Sequence, residues 1–120
     1  MVLVDTSVWI DHFRFALPAL AAALERQDVL THSLVIGELA SGNLTRRSPT
    51  LTDLRSLPRA EEATFDECLH LIEAHALHGE GLGWNDLQLL ASARLSSTRL
   101  WSTDKRLHQA ASDLHLAYEP

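Results

Sequence analysis

A chain of 120 residues with 46% hydrophobic and 22% charged side chains, and a mean hydropathy of -0.04, supports one globular core and excludes disorder. Its net charge of -6, from 16 acidic and 10 basic side chains, excludes a general nucleic-acid coat, which would be basic. No run reaches the roughly 18 apolar residues that span a membrane and no signal peptide is visible, while a lone Cys68 excludes an internal disulfide or cysteine-rich zinc site and fits a reducing cytoplasm.

Met1 to Val4 is apolar without alternation, the pattern of a strand buried on both faces. Thr6 or Ser7 is expected to cap the helix that follows, with Val8, Trp9, Ile10 and Phe13 as its apolar positions. Pro18 opens a second helix over 19–26, and Val29 to Thr31 is a brief strand. Ser33 is expected to cap a helix over 34–41 that Gly42-Asn43 ends. Residues 44–57 read as helical around Ser48-Pro49, with Pro58 closing the segment. Thr64 and Glu67 have capping-box spacing for a helix running to His75. Residues 77–83 carry Gly79, Gly81 and Gly83 and form a loop, after which Asn85 caps a helix over 86–95. Arg99 to Ser102 is strand-like, 104–112 helical and 114–118 a weak last strand. Short apolar strands alternating with helices predict one α/β domain over residues 1–120, built on a parallel sheet.

The charge is unevenly placed. Residues 1–60 balance six acids with six arginines, so residues 61–120 supply the whole excess. Within this background Asp5, Glu38, Asp86 and Asp104 stand where a carboxylate is hard to explain structurally. Asp5 and Asp104 each follow a strand-like run and precede a helix; in open parallel sheets that edge binds ligands. Helix capping explains either one alone. Glu38 shares a helix face with Leu34 and Val35, which predicts a half-buried position or, on a helix edge, partial exposure. Asp86 has Leu89 and Leu90 on its own face, and it also lies in the first helical turn, where a negative charge is favoured. Gathered together, such acids repel and lose hydration unless a cation joins them. Magnesium and manganese take oxygen ligands, and metal-assisted phosphodiester cleavage is the chemistry the set suggests. Thr6 and Thr103 flank the strand-end aspartates as supporting residues, Thr103 by orienting a carboxylate or a water.

Three segments also resemble a known family. Val2-Leu3-Val4-Asp5-Thr6-Ser7-Val8-Trp9-Ile10-Asp11, Gly79 through Trp84-Asn85-Asp86 to Ala93, and Leu100-Trp101-Ser102-Thr103-Asp104-Lys105-Arg106-Leu107 are similar, in that order, to the motifs of PIN-domain ribonucleases, specifically VapC toxins. The resemblance implies a PIN-like three-layer α/β/α sandwich with a mostly parallel central sheet. It implies that Asp5, Glu38, Asp86 and Asp104 gather at one sheet end, bind magnesium or manganese, and catalyse RNA hydrolysis as a metal-dependent endoribonuclease. It further implies a cytoplasmic toxin, dimeric within a toxin–antitoxin complex and held by a cognate VapB-like antitoxin that inserts a C-terminal segment into a groove. Arg106 stands where many relatives carry a further aspartate, which implies one firmly held ion rather than a permanent pair.

Other residues admit competing roles. Arg14, Arg46 and Arg47 can meet RNA phosphates or antitoxin carboxylates, as can Arg55 and Arg59, or face solvent. The seven histidines lack a zinc-site pattern, and His12 is the one expected near the acids. Trp9 and Trp101 read as core, whereas Trp84 neighbours a site motif. An aspartyl-phosphate hydrolase would share the aspartate after the first strand, but its usual second aspartate falls on Ser7. A non-catalytic module whose acidic cleft binds a basic peptide is the other competitor.

Overall fold

A computed structural model describes residues 1–120. Three short strands, β1 (Val2–Val4), β2 (Val29–Leu30) and β3 (Arg99–Trp101), form a wholly parallel sheet in the order β2-β1-β3. Leu3 pairs with Leu30 on one side and Leu100 on the other. Val2, Leu3 and Val4 are at most 2% exposed, so helices cover both faces of the central strand, as an apolar run without alternation requires. Helices α1 (Thr6–Phe15) and α2 (Pro18–Glu25) connect β1 to β2. Then α3 (Ser33–Ser41), α4 (Arg47–Ser56), α5 (Phe65–His75) and α6 (Trp84–Leu95) intervene before β3, and α7 (Lys105–Asp113) follows it. The chain leaves β1 first to one side and then to the other. The reversal places the ends of β1 and β3 at a switch point, where side-chain clusters can form beyond the sheet.

Local chemistry explains most helix boundaries. Pro18 occupies N1 of α2, and Thr64 with Glu67 closes the expected capping box of α5. Four boundary expectations are corrected. Asp5 itself caps α1 by accepting the Thr6 N–H, so neither Thr6 nor Ser7 is the cap. His32 rather than Ser33 caps α3. Gly83 rather than Asn85 precedes α6, and Asp86 reaches back to the Gly83 N–H. Pro49 does not interrupt α4 but sits in its first turn, where its missing N–H costs nothing. The weak last strand reduces to one parallel bridge, Leu100 to Ala117.

One cluster of 28 buried apolar residues runs from Val2 to Ala117 and includes Trp9 and Trp101, as expected of packing residues. Helix α6 lies deepest: every residue from Leu87 to Ala93 is buried, including Gln88 and Ser92. A helix buried all round must satisfy its polar groups with protein partners.

Candidate active site

Asp5 is 8% exposed and has three donors. Its Oδ1 accepts the Thr6 N–H at 2.8 Å, and its Oδ2 accepts the hydroxyls of Ser7 at 3.0 Å and Ser102 at 2.7 Å. The Asp5 N–H donates to Trp101 O, which locks the end of β1 to the end of β3. Ser102 Oγ also accepts the Asp104 N–H at 3.0 Å, and Asp104 Oδ1 accepts the Leu107 N–H to cap α7. One hydroxyl therefore joins two aspartates that are 99 positions apart in sequence. Thr103 is exposed, and its N–H donates to Ser7 Oγ. Thr6 is buried with an unpartnered Oγ1.

Asp86 approaches from the first turn of α6 and Glu38 from α3. Partial burial raises the Asp86 pKa, the Gly83 N–H opposes this, and the negative charges of Asp5 and Asp104 raise it further. Desolvation raises the Glu38 pKa, followed by repulsion from Asp5 and Asp86. These couplings link all four acids at one end of the sheet. Glu38 is nonetheless exposed, contrary to the half-buried expectation: its neighbours Val35 and Leu39 enter the core while it rides the rim.

No arginine, lysine or histidine pairs with any of the four; Arg26 pairs with Asp28, and the imidazoles of His32 and His108 lie beside Glu62 and Glu119. The hydrogen bonds to Asp86 and Asp104 engage Oδ2 of the former and Oδ1 of the latter, leaving the other oxygen of each free. These hard oxygens suit magnesium or manganese. No three His, Cys, Asp or Glu side chains already converge on one ion-sized point. The donor chemistry fits a divalent cation, and closing the set round one requires rotation of the carboxylates about their caps.

The surrounding residues divide clearly. Arg14 lines a groove of about 520 Å³ with Glu38, Ile10, Phe13, Leu39 and Leu44. Arg46 is exposed, with a left-handed backbone (φ 52°) before α4. Arg47 donates to the carbonyls of Ala40 and Gly42, closing the C-terminal end of α3. Arg106 folds over Gly81, so close that a Cβ there would lie 2.4 Å from its Nη1, and it pairs with none of the acids. His12 does not join the acids: its Nδ1 accepts the Leu17 N–H, and it lines a separate hollow with Trp9 and Leu24. Trp84, 41% exposed, packs on the still more exposed Phe65 with ring centroids 5.3 Å apart.

Sequence reasoning missed Ser7 and Ser102. A signal existed, since Asp5-Thr6-Ser7 and Ser102-Thr103-Asp104 are mirror images at the ends of adjacent strands.

A parallel sheet with acids gathered at one end is what the resemblance implied, and the PIN domain family model matches residues 2–113. The chain belongs to that family. Within it, this protein is 42% identical over 118 residues to Ribonuclease VapC32 of Mycobacterium tuberculosis, in strains CDC 1551 / Oshkosh and ATCC 25618 / H37Rv alike. The match covers 98% of this chain and 95% of the relative, which places the protein among VapC-type PIN ribonucleases.

Proposed function

We propose that this protein is a metal-dependent endoribonuclease toxin that hydrolyses RNA phosphodiester bonds with magnesium, or manganese in its place. In this reading Asp5, Asp86 and Asp104 hold the cation, and Glu38 joins directly or through water. The observation that carries it is electrostatic: Glu38 feels the charges of Asp5 and Asp86, Asp86 those of Asp5 and Asp104, and none of the four has a basic partner. A bound divalent ion would supply Lewis acidity and water activation there. Ser7 and Ser102 fix the Asp5 carboxylate by donating to one oxygen, while the helix caps limit the swing of Asp86 and Asp104. Exposed Arg14 and Arg46 are available to receive RNA phosphates.

The cognate VapB-like antitoxin would occupy the groove beside Glu38. Its apolar wall of Ile10, Phe13 and Leu44 suits an amphipathic segment, and Glu38 suits an arginine on that segment. A homodimer within the toxin–antitoxin complex and a cytoplasmic location complete the reading; no helix here is long and apolar enough to cross a membrane. The phosphohydrolase alternative is disfavoured by Ser7, which donates to Asp5 Oδ2 where a second aspartate would act.

The test is RNA cleavage by purified wild type and D5N with magnesium, in nuclease-free preparations. Cleavage is expected to fall by on the order of 100-fold or more in D5N. The fold should survive, because Asn retains an oxygen for the Thr6 N–H. Equal hydrolysis by folded D5N would defeat the nuclease assignment. Partner-peptide binding without metal or cleavage would instead favour the non-catalytic module.

A further inference from the structure

We infer that His32 is a positioning residue, whose imidazole ties the N-terminus of α3 to the middle of α6 and so sets how Glu38 stands relative to Asp86. The effect on catalysis rests on the nuclease reading above; the tie itself rests on geometry. His32 is 2% exposed, just beyond β2. Its Nδ1 accepts the Leu34 N–H at 3.1 Å, capping α3, and its Nε2 meets Ser92 Oγ at 3.0 Å. A nitrogen that accepts a hydrogen bond carries no proton, so the ring proton sits on Nε2 and is donated to Ser92. Ser92 is fully buried and its Oγ also accepts the Ala63 N–H at 3.0 Å. One hydroxyl thus joins α6, the start of α3 and the segment leading into α5.

Glu38 lies six residues after His32, and Asp86 six residues before Ser92, each between one and two helical turns away. The charge of Asp86 acts on Glu38, so the placement of α3 relative to α6 sets how the two carboxylates face one another. Helix α3 packs chiefly on α1 and α4, and the imidazole is a direct buried link from α3 to α6. A fully satisfied buried polar contact of this kind rigidifies and specifies one geometry.

The tie also responds to pH. The charged groups acting on the ring are Glu62 and Arg59, both between α4 and α5; α6 offers the uncharged Ser92. Burial chiefly, aided by Arg59 and opposed by Glu62, holds the imidazole pKa below the usual 6.5. The neutral ring's contribution is therefore present above that value and lost as pH falls through the lowered folded one. Protonation at Nδ1 would orphan the Leu34 N–H and turn the ring to Glu62 Oε1, now 3.4 Å away.

The experiment is 15N NMR of the full-length protein, reading the His32 ring nitrogens and Leu34 amide exchange across pH. Cleavage profiles of wild type, H32N and S92A accompany it. The expected result is an Nε2–H tautomer at neutral pH and loss of Leu34 protection as the ring titrates. H32N keeps an oxygen to cap α3 but cannot reach Ser92; its kcat and metal affinity should fall about 10-fold with KM for RNA unchanged. Its pH profile should lack the imidazole limb and keep that of the carboxylates. Should H32N fail to fold, S92A carries the same expectation for kcat and metal affinity, with the imidazole limb retained but shifted. An Nδ1–H tautomer at neutral pH would overturn the tie, and wild-type kcat with an unshifted profile in both variants would overturn the positioning role. If D5N cleaves like wild type the nuclease reading falls, while the tautomer and Leu34 exchange still decide the tie.

Discussion

Each acid at the site has a different structural obligation. Asp5 accepts three hydrogen bonds, Asp86 and Asp104 each cap a helix, and Glu38 accepts none. Glu38 is thus where charge can be removed with least structural damage. Its raised folded pKa means that the native state holds a proton more tightly than the unfolded chain does. The stability it contributes is full below the unfolded value of 4.5 and lost as pH rises through the folded one. E38Q should therefore be more stable than wild type at neutral pH without metal, by on the order of 0.5 kcal/mol because solvent screens an exposed group. That gain should vanish at acid pH. Melts in a chelator across the acid-to-neutral range read both, and a destabilised E38Q at neutral pH would show that repulsion does not act on Glu38.

At the scale of the element, the helix N-termini do two tasks at once. Their free N–H groups and dipoles favour carboxylates, which makes Asp5, Asp86 and Asp104 tolerable in the absence of a cation. Asp104 allows the tasks to be separated. D104A should lose about 1 kcal/mol of stability through the uncapped α7, whereas D104N keeps an oxygen for the Leu107 N–H and should melt near wild type. Both should lose cleavage. A stable D104A, measured by chemical denaturation, would mean the cap contributes little. The loop before α6 is set by backbone instead: Gly81 adopts φ +79°, which L side chains rarely accept, and Arg106 lies against it. Arg106 therefore packs the loop leading to Asp86.

Over the whole molecule, charge is arranged by half. The first sixty residues are neutral and hold six of the nine arginines, while the last sixty carry the full excess of -6. A cation that binds the native acids but not the unfolded chain must stabilise the protein. At a free concentration about 100-fold above its Kd the gain is about 2.7 kcal/mol. Magnesium or manganese should accordingly raise the melting temperature of wild type and not of D5N. The shift should shrink as pH falls, because protons compete for Glu38 and Asp86. Identical shifts in D5N would place the stabilising ion elsewhere.

The sequence by itself determined the alternation of strands and helices, the buried central strand, the Thr64–Glu67 capping box and the positions of two aspartates at strand ends. All of these follow from periodicity and neighbours within a few residues. Tertiary structure alone decided that Asp5 binds Ser102, that Glu38 rides the rim and that His32 reaches Ser92. The physical reason is reach. A hydrogen bond needs two atoms within about 3.5 Å, yet Ser102 and Asp5 are 97 positions apart and His32 and Ser92 are 60 apart. Only the closing of the sheet and the seating of α6 bring them together.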